Sequence, residues 1–426
     1  MNRRRFIKKS LLATSVVPIL GQKIFAATNS ELYFGAPLTH SDWMLKADIA
    51  WGMEGVQHML DVCKASGWSR VFWRAFDGGR SLYKSKLLRA QGKWDEDNFW
   101  NPKSDADKAL LQQFTPNLTG EQRVALRNKF EAFNYNSFDS LEAAVKYGKK
   151  IGLQIHAWLT INEDDHGWGL QSEFSKKHPE FRWRGREGKT YHSQLSFAFP
   201  EVRKYKLALV EEILENYAVA GIFLDWVRTG DVRDNPQTDP KGVANSGYEE
   251  PLIQKFKKKF QEDPNQISND DPRWVQMRAE PQTEFMRALR ALVRSRKNNL
   301  PISVLVGHPW HYRGEQNKID GNLRGLLLDV KAWANEGLMD SAVAAGYYRD
   351  GGNAEAAYRA LQKETEGKVS VWTYAWVPQK VSDFQNDFAL AQKLGAPQIL
   401  FWEADYMDDR SNAAELKSAL AQRARW

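Results

Sequence analysis

The chain has a single cysteine, Cys63, in 426 residues, so no internal disulfide can form in any compartment. Its setting, Val56-x-x-Met59-Leu60-x-x-Cys63, has helical spacing and marks a core residue. After residue 27 no apolar run approaches the ~20 residues of a membrane span, so the mature protein is expected to have none. No glycine-rich phosphate loop follows the first strand-like run, which argues against a nucleotide site. With one thiol and no nucleotide motif, no cofactor is expected, and no protein-bound metal is called for.

Net charge of either sign is also missing once the N-terminus is set aside. Residues 1–27 hold six basic residues (Arg3, Arg4, Arg5, Lys8, Lys9, Lys23) and no acidic one. Without them, 54 of the 60 basic residues stand against 53 acidic ones, so the formal +7 falls to about +1. That balance gives no argument for nucleic acid as a partner. The same 27 residues read as a leader: a basic head, a short apolar run from Leu11 to Leu20 broken by Pro18, then Phe25-Ala26-Ala27. The paired arginines followed by Phe6 resemble a twin-arginine export signal. The expectation is a bacterial protein recognised by the twin-arginine machinery, cleaved near Ala26 or Ala27, and periplasmic or secreted.

What is present is an alternation. Apolar strand-like runs are followed by amphipathic helix-like segments from Leu32 to the C-terminus. Strands are expected at 32–35, 70–76, 154–160, 221–224, 302–306, 341–345, 369–375 and 398–402. Helices are expected at 52–66, 138–151, 200–217, 280–296, 323–336, 353–365 and 382–394, with a last one from Asn412. Eight such units predict a (β/α)8 barrel occupying residues 28–426 as one domain. Two long connections, about 78–137 and 229–277, follow strands two and four and are expected at the active face.

The carboxyl ends of the strands gather polar and aromatic residues. They are Arg74 and Asp77; His156, Trp158 and Glu163; Asp225, Trp226 and Arg228; His308 and Trp310; Tyr348 and Asp350; Trp376; and Trp402 and Glu403. Carboxylates, His and Arg bind hydroxyls, and aromatic rings stack on the apolar faces of sugars. Glycosidic cleavage needs an acid for the leaving oxygen and a carboxylate that attacks or activates water. Asp225 and Glu403 follow directly on apolar strand residues and suit those tasks, with Asp350 a rival acid. The bland alternative for Asp225 is an ion pair with Arg228 or Arg74. The run Glu163-Asp164-Asp165-His166 reads as a solvated acidic loop, with a hard-cation site as the sharper alternative.

The run Gly221-Ile222-Phe223-Leu224-Asp225-Trp226-Val227-Arg228 resembles the strand-four signature of the glycosyl-hydrolase-like, family-10-type barrels (the DUF187-related proteins). Leu153-Gln154-Ile155-His156-Ala157-Trp158, Asp329-Val330-Lys331-Ala332-Trp333 and Tyr347-Tyr348 match the same group. The resemblance covers most of residues 30–405. It implies a (β/α)8 glycoside hydrolase with Asp225 as catalytic carboxylate, and a carbohydrate substrate. The run Trp402-Glu403-Ala404-Asp405 and the acidic Glu163–His166 run have no counterpart in that pattern, which leaves the second catalytic group open. Two other readings keep the barrel: a non-catalytic carbohydrate-binding protein, and a metal-assisted hydrolase using the Glu163–His166 loop.

Overall fold

The computed structural model describes residues 32–38, 50–93, 95, 100–105, 108–109, 111, 119–164, 170–225, 227, 243–296, 299–306, 322–344, 354–376, 380–402 and 418. The leader and the helix expected from Asn412 lie outside these residues, apart from Ser418. Among the described residues eight strands form the barrel: β1 (Tyr33–Leu38), β2 (Arg70–Asp77), β3 (Gln154–Thr160), β4 (Gly221–Asp225), β5 (Ile302–Val306), β6 (Ser341–Ala344), β7 (Ser370–Trp376) and β8 (Gln398–Trp402). Each pairs in parallel with the next, and β1 pairs with both β2 and β8, so the sheet closes on itself. Seven helices follow the first seven strands: α1 (Met53–Ala65), α2 (Ser140–Ile151), α3 (Pro200–Asn216), α4 (Pro272–Arg296), α5 (Val330–Asn335), α6 (Ala354–Glu364) and α7 (Val381–Leu394). This is the (β/α)8 barrel that the alternation predicts.

Strand residues of one parity face the helices and those of the other fill the interior, so each strand is apolar on both sides. Val71, Trp73, Ile155, Ala157, Ile222 and Leu224 pack outward against Met59, Leu60, Leu141, Leu209 and Ile213. Phe72, Trp158, Phe223, Leu305, Val343, Trp372 and Leu400 form the separate inner core. Helix α3 begins at Pro200, whose missing N–H costs nothing at a first helical position. Helix α2 stops at Gly152 with φ 69°, a left-handed cap in which glycine is unstrained.

Three elements differ from expectation. Helix α4 starts at Pro272 and runs through Pro281, although a proline removes one helical hydrogen bond. The turns before Pro281 are anchored from outside the helix. The buried Arg278 donates to the carbonyls of Ala244 (2.6 Å), Ser246 (2.9 Å) and Asn269 (2.7 Å). The helix expected over 323–336 is two pieces, Asn322–Leu326 and α5. Leu327 turns at φ 55°, and the Asp329 side chain caps α5 by accepting from the Ala332 N–H at 3.0 Å. Residues 161–199 form a third long connection, carrying a hairpin of Arg182–Arg184 with Thr190–Leu195.

The insertion after β2 is fastened to the barrel. Arg80–Ser81 pairs antiparallel with the end of β2. Glu212 of α3 accepts from Tyr83 Oη (2.8 Å), Ser85 Oγ (2.6 Å) and the Lys86 N–H (2.6 Å). Its helix Gly120–Glu131 opens with a capping box between Thr119 and Gln122. The insertion after β4 contributes the helix Glu250–Phe260.

Candidate active site

The site is built where β2, β3 and β4 run side by side. Asp225 ends β4 and is fully buried. Trp158 sits one strand over and two residues lower, in register with Phe223. This places its indole beneath the Asp225 side chain, and Nε1 donates to Asp225 Oδ2 at 2.8 Å. Arg74 is in register with Trp158 on the neighbouring strand, and its guanidinium carbon lies 4.1 Å from the indole centroid.

Asp77 reaches the same group through an irregularity. Arg74 pairs with Trp158 and Phe76 with Leu159, so β2 carries one extra residue, Ala75. Ala75 and Phe76 both turn to the outer core. The bulge brings Asp77 back to the inner face, where its Oδ2 lies 3.2 Å from Arg74 Nη1. On the other side of Trp158, Trp402 packs edge-on at 5.6 Å, and Tyr374 lies 5.9 Å from Trp402. Six side chains from five strands thus meet at the carboxyl end of the barrel.

Several expected roles change. Trp158 and Trp402 are 4% and 7% exposed, and one face of the Trp158 indole is covered by Arg74. Both belong to the inner core of the barrel. His156 belongs to the floor of the barrel, away from the site. It is in register with Gly221, the first residue of β4, and Asp225 is the last. Its ring packs edge-on to Phe72 at 5.3 Å. Burial, aided by the charge of Arg70, pushes its pKa down to about 3, so it is a neutral core histidine. That ring occupies the place of a side chain at residue 221: a methyl on Gly221 would meet His156 Nδ1 at 2.1 Å. Gly221→Ala is therefore expected to destabilise the protein by ~1–3 kcal/mol in urea unfolding, and His156→Ala to relieve much of that cost.

Glu163 and Asp164 are not a solvated loop, since both are fully buried. Glu163 bridges to the hairpin, its Oε1 accepting from Gln194 Nε2 at 3.4 Å. Asp164 accepts from the Ser172 N–H at 3.1 Å and from Ser172 Oγ. Lys206 of α3, wholly buried, lies 3.3 Å from Asp164 Oδ1 and donates to the Glu163 carbonyl at 3.2 Å. Burial lowers the Lys206 pKa, with Asp164 opposing the shift. These contacts make Glu163 and Asp164 a buried polar joint between β3, the hairpin and α3. Asp165, His166, Trp226, Arg228, His308, Trp310, Tyr348, Asp350 and Glu403 lie outside the described residues, as does the side chain of Trp376.

The sequence held a signal for this joint that composition hides. Lys206 stands four residues after Val202 and three before Leu209, on the apolar stripe of α3, and a lysine there requires a buried partner.

The structure is thus a closed barrel with a buried carboxylate among aromatic rings at its strand ends. It is similar over 92% of its length to three solved glycosidase structures. Against α-L-fucosidase isoenzyme 2 from Paenibacillus thiaminolyticus the TM-score is 0.55 at 13% identity, covering 49% of that chain. Against the PgaB (BpsB) glycoside hydrolase domain from Bordetella bronchiseptica it is 0.57 at 11% identity, covering 99%. Against the catalytic domain of β-amylase from Paenibacillus polymyxa it is 0.52 at 11% identity, covering all of that domain. Identities this low speak for the fold alone. The chain belongs to the family glycosyl hydrolase-like 10, whose profile matches residues 123–382. An S-layer-related protein of Niallia circulans is 26% identical over 149 residues, 31% of this chain. The match covers 9% of that protein's length.

Proposed function

We propose that this chain is an exported glycoside hydrolase that cleaves O-glycosidic bonds in a poly- or oligosaccharide with a pair of carboxylates. The observation that carries the reading is the Asp225 carboxylate, buried at the end of β4 and held by an indole N–H. Asp225 would attack the anomeric carbon or take a proton from the attacking water. Glu403 or Asp350 would give its proton to the glycosidic oxygen as the bond to the anomeric carbon breaks. The family assignment supports hydrolase chemistry. Export is supported by the composition of residues 1–27, and the S-layer-related relative agrees with a cell-surface or extracellular setting.

A metal-assisted reaction through the Glu163–His166 run is less favoured. Its two described carboxylates are already engaged by Gln194, Ser172 and Lys206. The testing experiment is reducing-sugar release from cellulose, xylan, starch, chitosan and galactan by residues 28–426. The Asp225→Asn protein serves as control. Release by the parent and not by the variant is expected. Retained glycan binding with no release by either protein would favour a non-catalytic carbohydrate-binding barrel.

A further inference from the structure

We infer that Arg74 and Asp77 act on the reaction through Trp158, as positioning residues for the Asp225 carboxylate, and not as substrate contacts. The inference deepens the proposed function and rests on Asp225 being catalytic.

Three contacts run in series across three strands. Asp77 Oδ2 lies 3.2 Å from Arg74 Nη1, the Arg74 guanidinium lies 4.1 Å from the centre of the indole, and the indole N–H reaches Asp225 Oδ2 at 2.8 Å. Each link restrains the next. A tryptophan side chain has two rotatable bonds, and a small ring rotation would carry Nε1 out of hydrogen-bond range. The guanidinium over the ring and the Trp402 indole, steeply inclined with its centre 5.6 Å from that of Trp158, oppose that rotation. Arginine suits the position because a planar guanidinium stacks on a ring, which a lysine ammonium cannot do.

Asp77 orients the guanidinium from the far side, and its presence there depends on the Ala75 bulge. A catalytic carboxylate misplaced by a fraction of an ångström loses rate while substrate affinity is little changed.

The test uses residues 28–426 with 15N-labelled tryptophan. The Trp158 indole signal is assigned by its disappearance in Trp158→Phe. Asp225→Asn is expected to move that signal, because a neutral amide is a weaker acceptor. Arg74→Met is expected to speed its exchange with solvent by ~10-fold or more while other buried indoles are unaffected. On whichever panel glycan the parent degrades, Arg74→Met should lower kcat ~10-fold with KM within about twofold. It should add little to the loss already present in Trp158→Phe.

Unchanged indole exchange in Arg74→Met would overturn the inference, as would a raised KM with kcat retained, the signature of a substrate contact. Should Arg74→Met fail to fold, Asp77→Asn carries the same expectations at smaller size. Full kcat in both variants with an inactive Asp225→Asn protein would sink the positioning role alone. An active Asp225→Asn protein would remove the catalytic reading beneath it.

Discussion

The Asp225→Asn protein is expected to fold and bind glycan like the parent while its kcat falls ~10²–10⁴-fold. Asparagine has the size of the carboxylate and can still accept from Trp158 Nε1 through its amide oxygen, so the packing at the end of β4 is kept. What is lost is the negative charge and the ability to attack or to take a proton. Asp225 is fully buried between strands, and water is a poor substitute for a group held there. A loss confined to kcat would place the residue in the chemical step. A loss confined to KM would make it a hydroxyl contact. Initial rates of reducing-sugar release across substrate concentration separate the two.

Replacing Lys206 with methionine is expected to destabilise the protein by ~3–5 kcal/mol, the usual consequence of removing one member of a buried ion pair. The cost comes from what stays behind. Asp164 remains fully buried without its cationic partner, and the Glu163 carbonyl loses a donor. Bringing the lysine into the interior is itself costly, because burial disfavours its charged form. The double change Lys206→Met, Asp164→Leu is therefore expected to recover a large share of the loss. Urea unfolding of the parent, the single variant and the double variant measures both numbers. Because the joint ties β3 to the hairpin, the single variant should also expose residues 182–195 to proteolysis before the barrel unfolds.

The barrel was legible because parallel strands buried on both faces leave continuous apolar runs. Gln154–Thr160, Ile302–Val306 and Gln398–Trp402 fall where those runs stand. At α4 the expected start at 280 fell inside the helix, which begins at Pro272 and runs through Pro281, its earlier turns held by Arg278's bonds to Ala244, Ser246 and Asn269. Strand ends drew attention to Arg74, Asp77, Trp158, Asp225 and Trp402, and parallel register brings these five side chains together at one face. Depth within the barrel was not legible in the same way. His156 and Trp158 are two residues apart on one face, yet one lies on the floor and the other under Asp225. The partner strands' register decides this, through Gly221 and Phe223. Nor does composition reveal whether an aromatic ring at a strand end is open. The stack of Arg74 on Trp158 depends on pairing between β2 and β3, and the placement of Asp77 on a one-residue bulge.

The central claim is that the Asp225 carboxylate performs chemistry at the mouth of the barrel. It is tested most directly by removing that carboxylate and supplying an external one-charge nucleophile. On a glycan that the parent hydrolyses, the Asp225→Ala protein should be nearly inactive. Sodium azide should restore turnover and yield a glycosyl azide, the ion entering the space left at the end of β4. Hydrolysis by Asp225→Ala at the parent's rate without azide would contradict the account.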